Sequence, residues 1–319
     1  MDFLNNIFNQ DCFEGIKNLP DNSIDCCITS PPYYGLRDYG HDAQIGLEKT
    51  PEEFVAKLLT LFTEVKRVLK PEGTLWLNMG DSFASGKSRY STKPNTLESK
   101  ENGAAKYGKT MKGERPDFYY HPFIKDKDLI GVPWMLAFAL RNSGWYLRMD
   151  IIWNKPNPMP ESVQDRPTKS HEYIFLMSKS AKYYYDADAI KTEMNCNEHD
   201  KRSRKGRKRF PTELINGIRG NTPDKIYEWA NKRSVWTVNT KPYAKAHFAT
   251  FPELLIEDCV KAGCPKDGII LDPFMGAGTT ALVALKLGRK FTGFEVNEEY
   301  LSIANERLHD EIGLFLKTS

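Results

Sequence analysis

Near the carboxyl end of the chain, Asp272-Pro273-Phe274-Met275-Gly276-Ala277-Gly278-Thr279-Thr280 follows the apolar run Ile269-Ile270-Leu271 and leads into a helical stretch over residues 281–287. Strand, glycine turn and helix in this order is how dinucleotide and adenosyl ligands are generally held. Gly276 and Gly278 let backbone approach a ligand, and the first helical turn offers free N–H groups. The next apolar run, over 291–294, ends on Glu295, a carboxylate able to accept hydrogen bonds from both hydroxyls of a ribose. Asp272, at the mouth of the turn, offers a counter-charge to the amino group of a methionine moiety. A nicotinamide cofactor is disfavoured because Asp-Pro-Phe replaces the first glycine of that fingerprint, and no Gly-Lys-Thr/Ser follows as a P-loop requires. A turn of purely structural purpose remains open.

At the amino-terminal end, Thr29-Ser30-Pro31-Pro32-Tyr33 closes an apolar run over 23–28. Two prolines cannot continue a ladder, so the strand must stop and release a loop carrying a hydroxyl and an aromatic ring. A plain strand terminator is the bland alternative. Residues 7–11 read as another short strand that ends in a carboxylate, Asp11.

The elements between these ends follow from periodicity. Phe54, Leu58, Leu61, Phe62, Val65 and Leu69 recur at helical spacing. Pro71-Glu72-Gly73 reads as a turn and 74–79 as a strand. A helix over 133–142, strands over 146–153 and 173–177, an amphipathic helix over 251–262 and a closing helix over 298–308 complete the pattern. A proline-rich turn, 154–160, cannot be helical. Strands alternating with helices imply a largely parallel α/β sheet.

Composition sets outer bounds. A chain of 319 residues, 40% hydrophobic and 27% charged, can bury a substantial core. No apolar run approaches the roughly 20 residues of a membrane span, and the first six residues lack a basic flank leading into an apolar stretch. A cytoplasmic location without membrane association is expected. The six cysteines show no paired CxxC spacing and the six histidines no ligand spacing, so reduced thiols and no metal are expected. Net charge is only +3, but its distribution is uneven. Residues 85–117 form a polar, lysine-rich insertion, and Lys201, Arg202, Arg204, Lys205, Arg207, Lys208 and Arg209 crowd one run.

The Ser30 segment closely resembles the motif of DNA methyltransferases that modify exocyclic amino groups, in which Asp, Asn or Ser precedes Pro-Pro-Tyr/Phe. The resemblance extends over most of the chain. Asp11 matches an acidic position at the adenine amine of S-adenosylmethionine. His247-Phe248-Ala249-Thr250-Phe251-Pro252 is similar to an element beside the methionine carboxylate, which brings Phe251 into the cofactor set. Trp153 through His171-Glu172 resembles the stretch lining the target-base pocket. The order of catalytic motif, variable region, His-Phe-Pro element and cofactor turn is that of the permuted β class. Departures are the insertion at 85–117 and the placement of Asp11 at the amino terminus.

The resemblance implies a Rossmann-like α/β methyltransferase fold, circularly permuted, with a mostly parallel seven-stranded sheet. Residues 1–189 and 246–319 would be the two halves of the catalytic domain, and 190–245 an inserted target-recognition region. Ser30, Pro31, Pro32 and Tyr33 would be catalytic. Asp11, Phe251, Asp272, Pro273, Phe274, Gly276, Gly278, Thr279, Thr280 and Glu295 would hold S-adenosylmethionine. The 201–209 run would meet the phosphates of double-stranded DNA, whose target base must leave the stack to be reached. Ser at position 30 is commoner in enzymes acting on cytosine N4, with adenine N6 the alternative and a catalytically silent DNA-binding protein the bland one. Any cognate restriction endonuclease would be a separate protein.

Overall fold

The computed structural model describes residues 3–36, 44–84, 121–193, 229–240 and 251–313. The 85–117 insertion, the 201–209 run and His247 through Thr250 lie outside the described residues. In chain order the elements are β1 (Asn6–Phe8), α1 (Cys12–Gly15), β2 (Ile24–Thr29), α2 (Pro51–Val68), β3 (Leu69–Met79), α3 (Val132–Asn142), β4 (Tyr146–Asn154) and β5 (His171–Ser178). There follow β6 (Thr192–Glu193), β7 (Trp229–Ala230), β8 (Val235–Thr237), α4 (Glu253–Gly263), β9 (Ile269–Asp272), α5 (Thr279–Lys286), β10 (Lys290–Phe294) and α6 (Glu298–Ile312).

The main sheet runs β1-β10-β9-β2-β3-β5-β4-β8. It is parallel from β1 through β3, after which β5 lies antiparallel to both β3 and β4. β9 and β2, from opposite ends of the chain, are neighbours at its centre, with Cys26 beside Ile270 and Cys27 beside Leu271. The carboxyl ends of β1, β10, β9, β2, β3 and β4 therefore share one edge with the start of β5. In open α/β sheets that edge is where ligands bind.

Local chemistry explains the framework. Thr50 caps α2 by accepting from the Glu53 N–H, and Pro51 occupies the first turn, where a missing donor costs nothing. Phe54, Leu58, Leu61, Phe62 and Val65 are fully buried on its inner face, packed in one core with Leu75, Leu77, Phe175, Leu136 and Leu140. Each such side chain contributes about 1.5–3 kcal/mol by leaving water.

Two details differ from the sequence expectation. The sheet has eight strands rather than seven, because Val235–Thr237 pairs in parallel with the edge of β4. Three residues are too few to show a period-2 pattern. Pro71-Glu72-Gly73 does not separate a helix from a strand. It is an irregularity inside β3, where Leu69 already pairs with Ile24 before the register jumps to Thr74 opposite Cys26.

The chain divides into two units, residues 1–185 with 234–319, and residues 186–233. The smaller carries a 3-10 turn, Asp188–Ile190, and the antiparallel pair β6–β7. Among the described residues no helix is long and apolar enough to cross a membrane, and no cluster of His, Cys, Asp or Glu could hold a metal ion.

Candidate active site at the carboxyl edge of the sheet

Because β2 and β9 are adjacent, the two segments singled out by sequence emerge side by side. The Thr29 hydroxyl donates to Asp272 Oδ1 at 2.7 Å, joining the residue before Ser30 to the first residue of the glycine turn. Asp272 Oδ1 also accepts from the Phe274 N–H at 3.0 Å, and Oδ2 from the Thr280 hydroxyl at 2.6 Å. The carboxylate is 1% exposed. Burial pushes it up to about 6, against the opposing pull of the Thr280 and Thr29 hydrogen bonds. Sequence assigned Asp272 to a ligand's amino group. In the structure it accepts from three internal donors, which tie the turn to β2.

The turn is closed behind and open in front. Gly276 and Gly278 both take positive φ, +54° and +76°. A Cβ at Gly278 would sit 3.0 Å from the Ala304 Cβ, whereas one at Gly276 would meet only the Phe274 carbonyl oxygen, at 4.0 Å. Gly278 thus serves close packing of α6, and Gly276 leaves space. Pro273, Thr279 and Thr280 are buried, while Phe274 and Gly276 remain partly open.

Glu295 directly follows β10. Its Oε2 accepts from the Gly276 N–H at 2.8 Å and its Oε1 from the Asn297 N–H at 2.9 Å, which orients the carboxylate along the turn. Burial raises this carboxyl above its ordinary value. β1 ends at Phe8, which pairs with Phe294, so Asp11 does not close the strand expected over 7–11 but lies three residues beyond it, in the turn into α1. Asp11 also caps α1, accepting from the Phe13 N–H at 2.8 Å. Phe251 is half-buried just before α4.

Sequence did not single out Arg307. This residue of α6 is 6% exposed and donates to the Ala277 carbonyl at 3.3 Å, Thr279 Oγ1 at 2.9 Å and Glu253 Oε1 at 2.8 Å. It fastens the back of the glycine turn to the start of α4. In sequence it is one basic residue among many on an amphipathic helix, and no local signal distinguishes it.

The Ser30–Tyr33 loop is held differently. Pro31 is buried and Pro32 half-buried, while Ser30 is half-buried with no hydrogen-bond partner for its hydroxyl among the described residues. The Tyr33 hydroxyl donates to Glu172 Oε2 at 2.7 Å and lies 3.3 Å from Asn78 Oδ1. Asn78 donates to the Tyr173 carbonyl at 3.1 Å and to Glu172 Oε2 at 3.3 Å. Lys155 pairs with Glu172 Oε1, and its ammonium sits 4.1 Å from the Trp153 ring centroid. The Tyr33 ring lies against bare backbone at Gly80, where a Cβ would come within 2.5 Å of Tyr33 Cε2. Sequence placed Glu172 and Lys155 only within a pocket-lining stretch and Asn78 only within a strand, and gave none of the three a role of its own. Nearby, burial lowers the Lys169 ammonium and raises the Asp81 carboxyl, which accepts from the Gly131 and Val132 N–H groups at the start of α3.

A family model described as DNA methylase, covering N6 and N4 enzymes, matches residues 24–306. The type II methyltransferase M.SmaI of Serratia marcescens is 46% identical over 298 residues, spanning 93% of this chain and 88% of its own. M.Cfr9I of Citrobacter freundii is 44% identical over 305 residues, spanning 96% and 88%. Among solved structures, the PvuII cytosine-N4-specific DNA methyltransferase aligns over 98% of this chain and 86% of its own, with TM-score 0.61 and 18% identity. A putative DNA modification methylase of Thermus thermophilus, complexed with S-adenosyl-L-methionine, aligns over 96% and 93%, with TM-score 0.56 and 21% identity. The structural likenesses show the α/β methyltransferase fold, and the sequence matches show descent: the chain belongs to the N6/N4 DNA methylase family.

Proposed function

We propose that this methylase transfers a methyl group from S-adenosylmethionine to the N4 amino group of a cytosine turned out of double-stranded DNA. The observation that carries the reading is the Thr29–Asp272 hydrogen bond, because it puts Ser30 and the glycine turn at one edge. The open side of the turn suits an adenosyl ligand: uncrowded backbone at Gly276, with the Glu295 carboxylate oriented beside it and Asp11 in the turn that follows the neighbouring strand β1. Glu295 would accept from the ribose hydroxyls and Asp11 from the adenine amine. Phe251, Pro273, Phe274, Gly278, Thr279 and Thr280 would complete the cradle, and Asp272 would hold its shape. When bound, the cofactor supplies an electrophilic methyl.

An exocyclic amine is conjugated with its ring and a weak nucleophile. The Ser30 oxygen, without a partner among the described residues, and the Pro31 carbonyl would accept from its two N–H bonds, which localises the nitrogen lone pair. Pro32 stiffens that loop and Tyr33 offers a ring face for the base. No covalent intermediate is required. Base flipping follows from the need to reach Ser30. Residues 190–245, with the basic 201–209 run, would supply recognition and phosphate contact. Serine rather than aspartate at position 30 supports cytosine over adenine. The relatives' type II designation supports a restriction–modification role with a separately encoded endonuclease.

The test is to methylate unmodified DNA with the purified protein, digest it to nucleosides and identify the product by mass spectrometry. N4-methylcytosine is expected. N6-methyladenine would overturn the base assignment, and unmodified nucleosides would overturn the activity.

A further inference from the structure

The catalytic loop ends in a polar tether that the transfer chemistry above does not use. Tyr33, Asn78, Glu172 and Lys155 come from the loop after β2 and from β3, β5 and the end of β4. They converge because β5 runs antiparallel between β3 and β4, which sets Glu172 opposite Trp153 and one residue before the Tyr173–Met79 pair. Glu172 is the hub. One oxygen accepts from Tyr33 and Asn78, and the other pairs with Lys155.

A carboxylate at the mouth of a DNA site is unfavourable unless compensated, since it faces a polyanion and loses water. Its side chain is 14% exposed here and that of Lys155 18%, so the pair is largely withdrawn from solvent. Lys155 neutralises the charge while packing over Trp153. What the pair achieves is geometric. A tyrosine ring has two rotatable side-chain torsions. The bare backbone of Gly80 confines the Cδ2–Cε2 side of the ring and Glu172 holds its hydroxyl, so both torsions are restricted before any base arrives.

We propose that Glu172 is a positioning residue for methyl transfer, holding the Tyr33 ring in the orientation on which the target base stacks. The inference rests on the reading that Tyr33 faces that base. Preorganisation of this kind removes an ordering cost from the productive complex, so it acts on turnover more than on cofactor affinity.

A substitution series in the full chain tests it, reading kcat and KM for DNA methylation, cofactor affinity by calorimetry and thermal stability. Glu172→Met removes the acceptor and is expected to lower kcat about tenfold, the size of a lost hydrogen bond to a charged group. Glu172→Gln keeps an acceptor for the Tyr33 hydroxyl and is expected to restore the rate to within about threefold of the native protein. Tyr33→Phe removes the same contact from the other side. The double variant Tyr33→Phe, Glu172→Met should therefore be no slower than Tyr33→Phe alone, because the two changes break one interaction. Cofactor affinity should stay unchanged throughout.

Multiplying losses in the double variant, or a Gln variant as slow as the Met variant, would overturn the positioning role. So would a native kcat in Glu172→Met. Should Glu172→Met fail to fold, Tyr33→Phe with Glu172→Gln decides the same question, since additive losses there overturn it. Tyr33→Ala separates the two levels. Full activity in that variant would sink the stacking role of Tyr33 itself, whereas its inactivity beside a native-like Glu172→Met would sink only the inference about Glu172.

Discussion

The two loops that meet at the sheet edge are built on opposite plans. The glycine turn is fastened from inside: Asp272 receives Thr29, Thr280 and the Phe274 N–H, Arg307 grips Ala277 and Thr279, and Gly278 packs on Ala304. Its open side is around Phe274 and Gly276. The Ser30–Tyr33 loop has no such internal lock at its first residue among the described residues. Ser30 keeps an uncommitted hydroxyl among the described residues, and the loop's order comes from its far end, through Tyr33 and Glu172. On the proposed reading, a small ligand would be met by a rigid cradle, and a base delivered from a duplex by a hydroxyl without a partner among the described residues and one tethered ring. Changes on the cradle side should therefore act through stability and cofactor affinity, and changes on the loop side through rate.

The largest expected effect is on the cradle. Asp272→Ala leaves two buried hydroxyls and one buried N–H without their acceptor, at about 1–3 kcal/mol each, offset in part by release of a buried charge. A net loss of roughly 4 kcal/mol in stability is expected, with cofactor binding lost, as measured by urea denaturation and calorimetry. A variant of native stability would mean that the turn is not fastened as described.

Ser30→Ala should do the converse. No described partner loses a hydrogen bond, so the melting temperature should move by no more than about 1 °C and cofactor affinity should hold. Loss of an acceptor that acts on the reacting amine should lower kcat about 10²–10³-fold. A melting point that falls together with activity would erase the contrast between the two loops.

That contrast was only half legible in the sequence, and the reason is distance along the chain. A glycine turn between a strand and a helix is local chemistry, so Gly276, Gly278 and Glu295 could be read from their neighbours alone. The proline pair at 31–32 likewise announces a strand end wherever it occurs. Asp272 could be found but not understood, because its decisive partner is Thr29, 243 residues away. Arg307 acts by donating to acceptors on other elements and Glu172 by accepting from donors on other elements; nothing local marks the first, and the second was legible only as part of a stretch. The same limit explains β8: Val235–Thr237 is a strand only because β4 presents an edge for it. Periodicity finds elements that bury a face of their own. It does not find those that complete a neighbour.

The smallest effect sharpens the comparison through pH. Burial raises Asp272 from an ordinary value of 3.8 to about 6 in the folded chain, so the native state binds this proton more tightly than the unfolded state does. The stability linked to that proton is fully present below the unfolded value and is lost as pH rises through the folded one. Between about pH 4.5 and pH 7 the site should cost about 2 kcal/mol of stability. Asp272→Asn keeps the side-chain shape and an acceptor but cannot titrate. Urea denaturation of both proteins at the two pH values isolates the site together with its coupling to Glu295, whose carboxyl the Asp272 charge also raises; titrations remote from the pair are shared and cancel in the difference. The native protein should lose about 2 kcal/mol more than the Asn variant on going to neutral pH. Equal losses would mean that Asp272 is not desolvated in the folded chain, and the cradle would then be open to water at the point where it meets the catalytic strand.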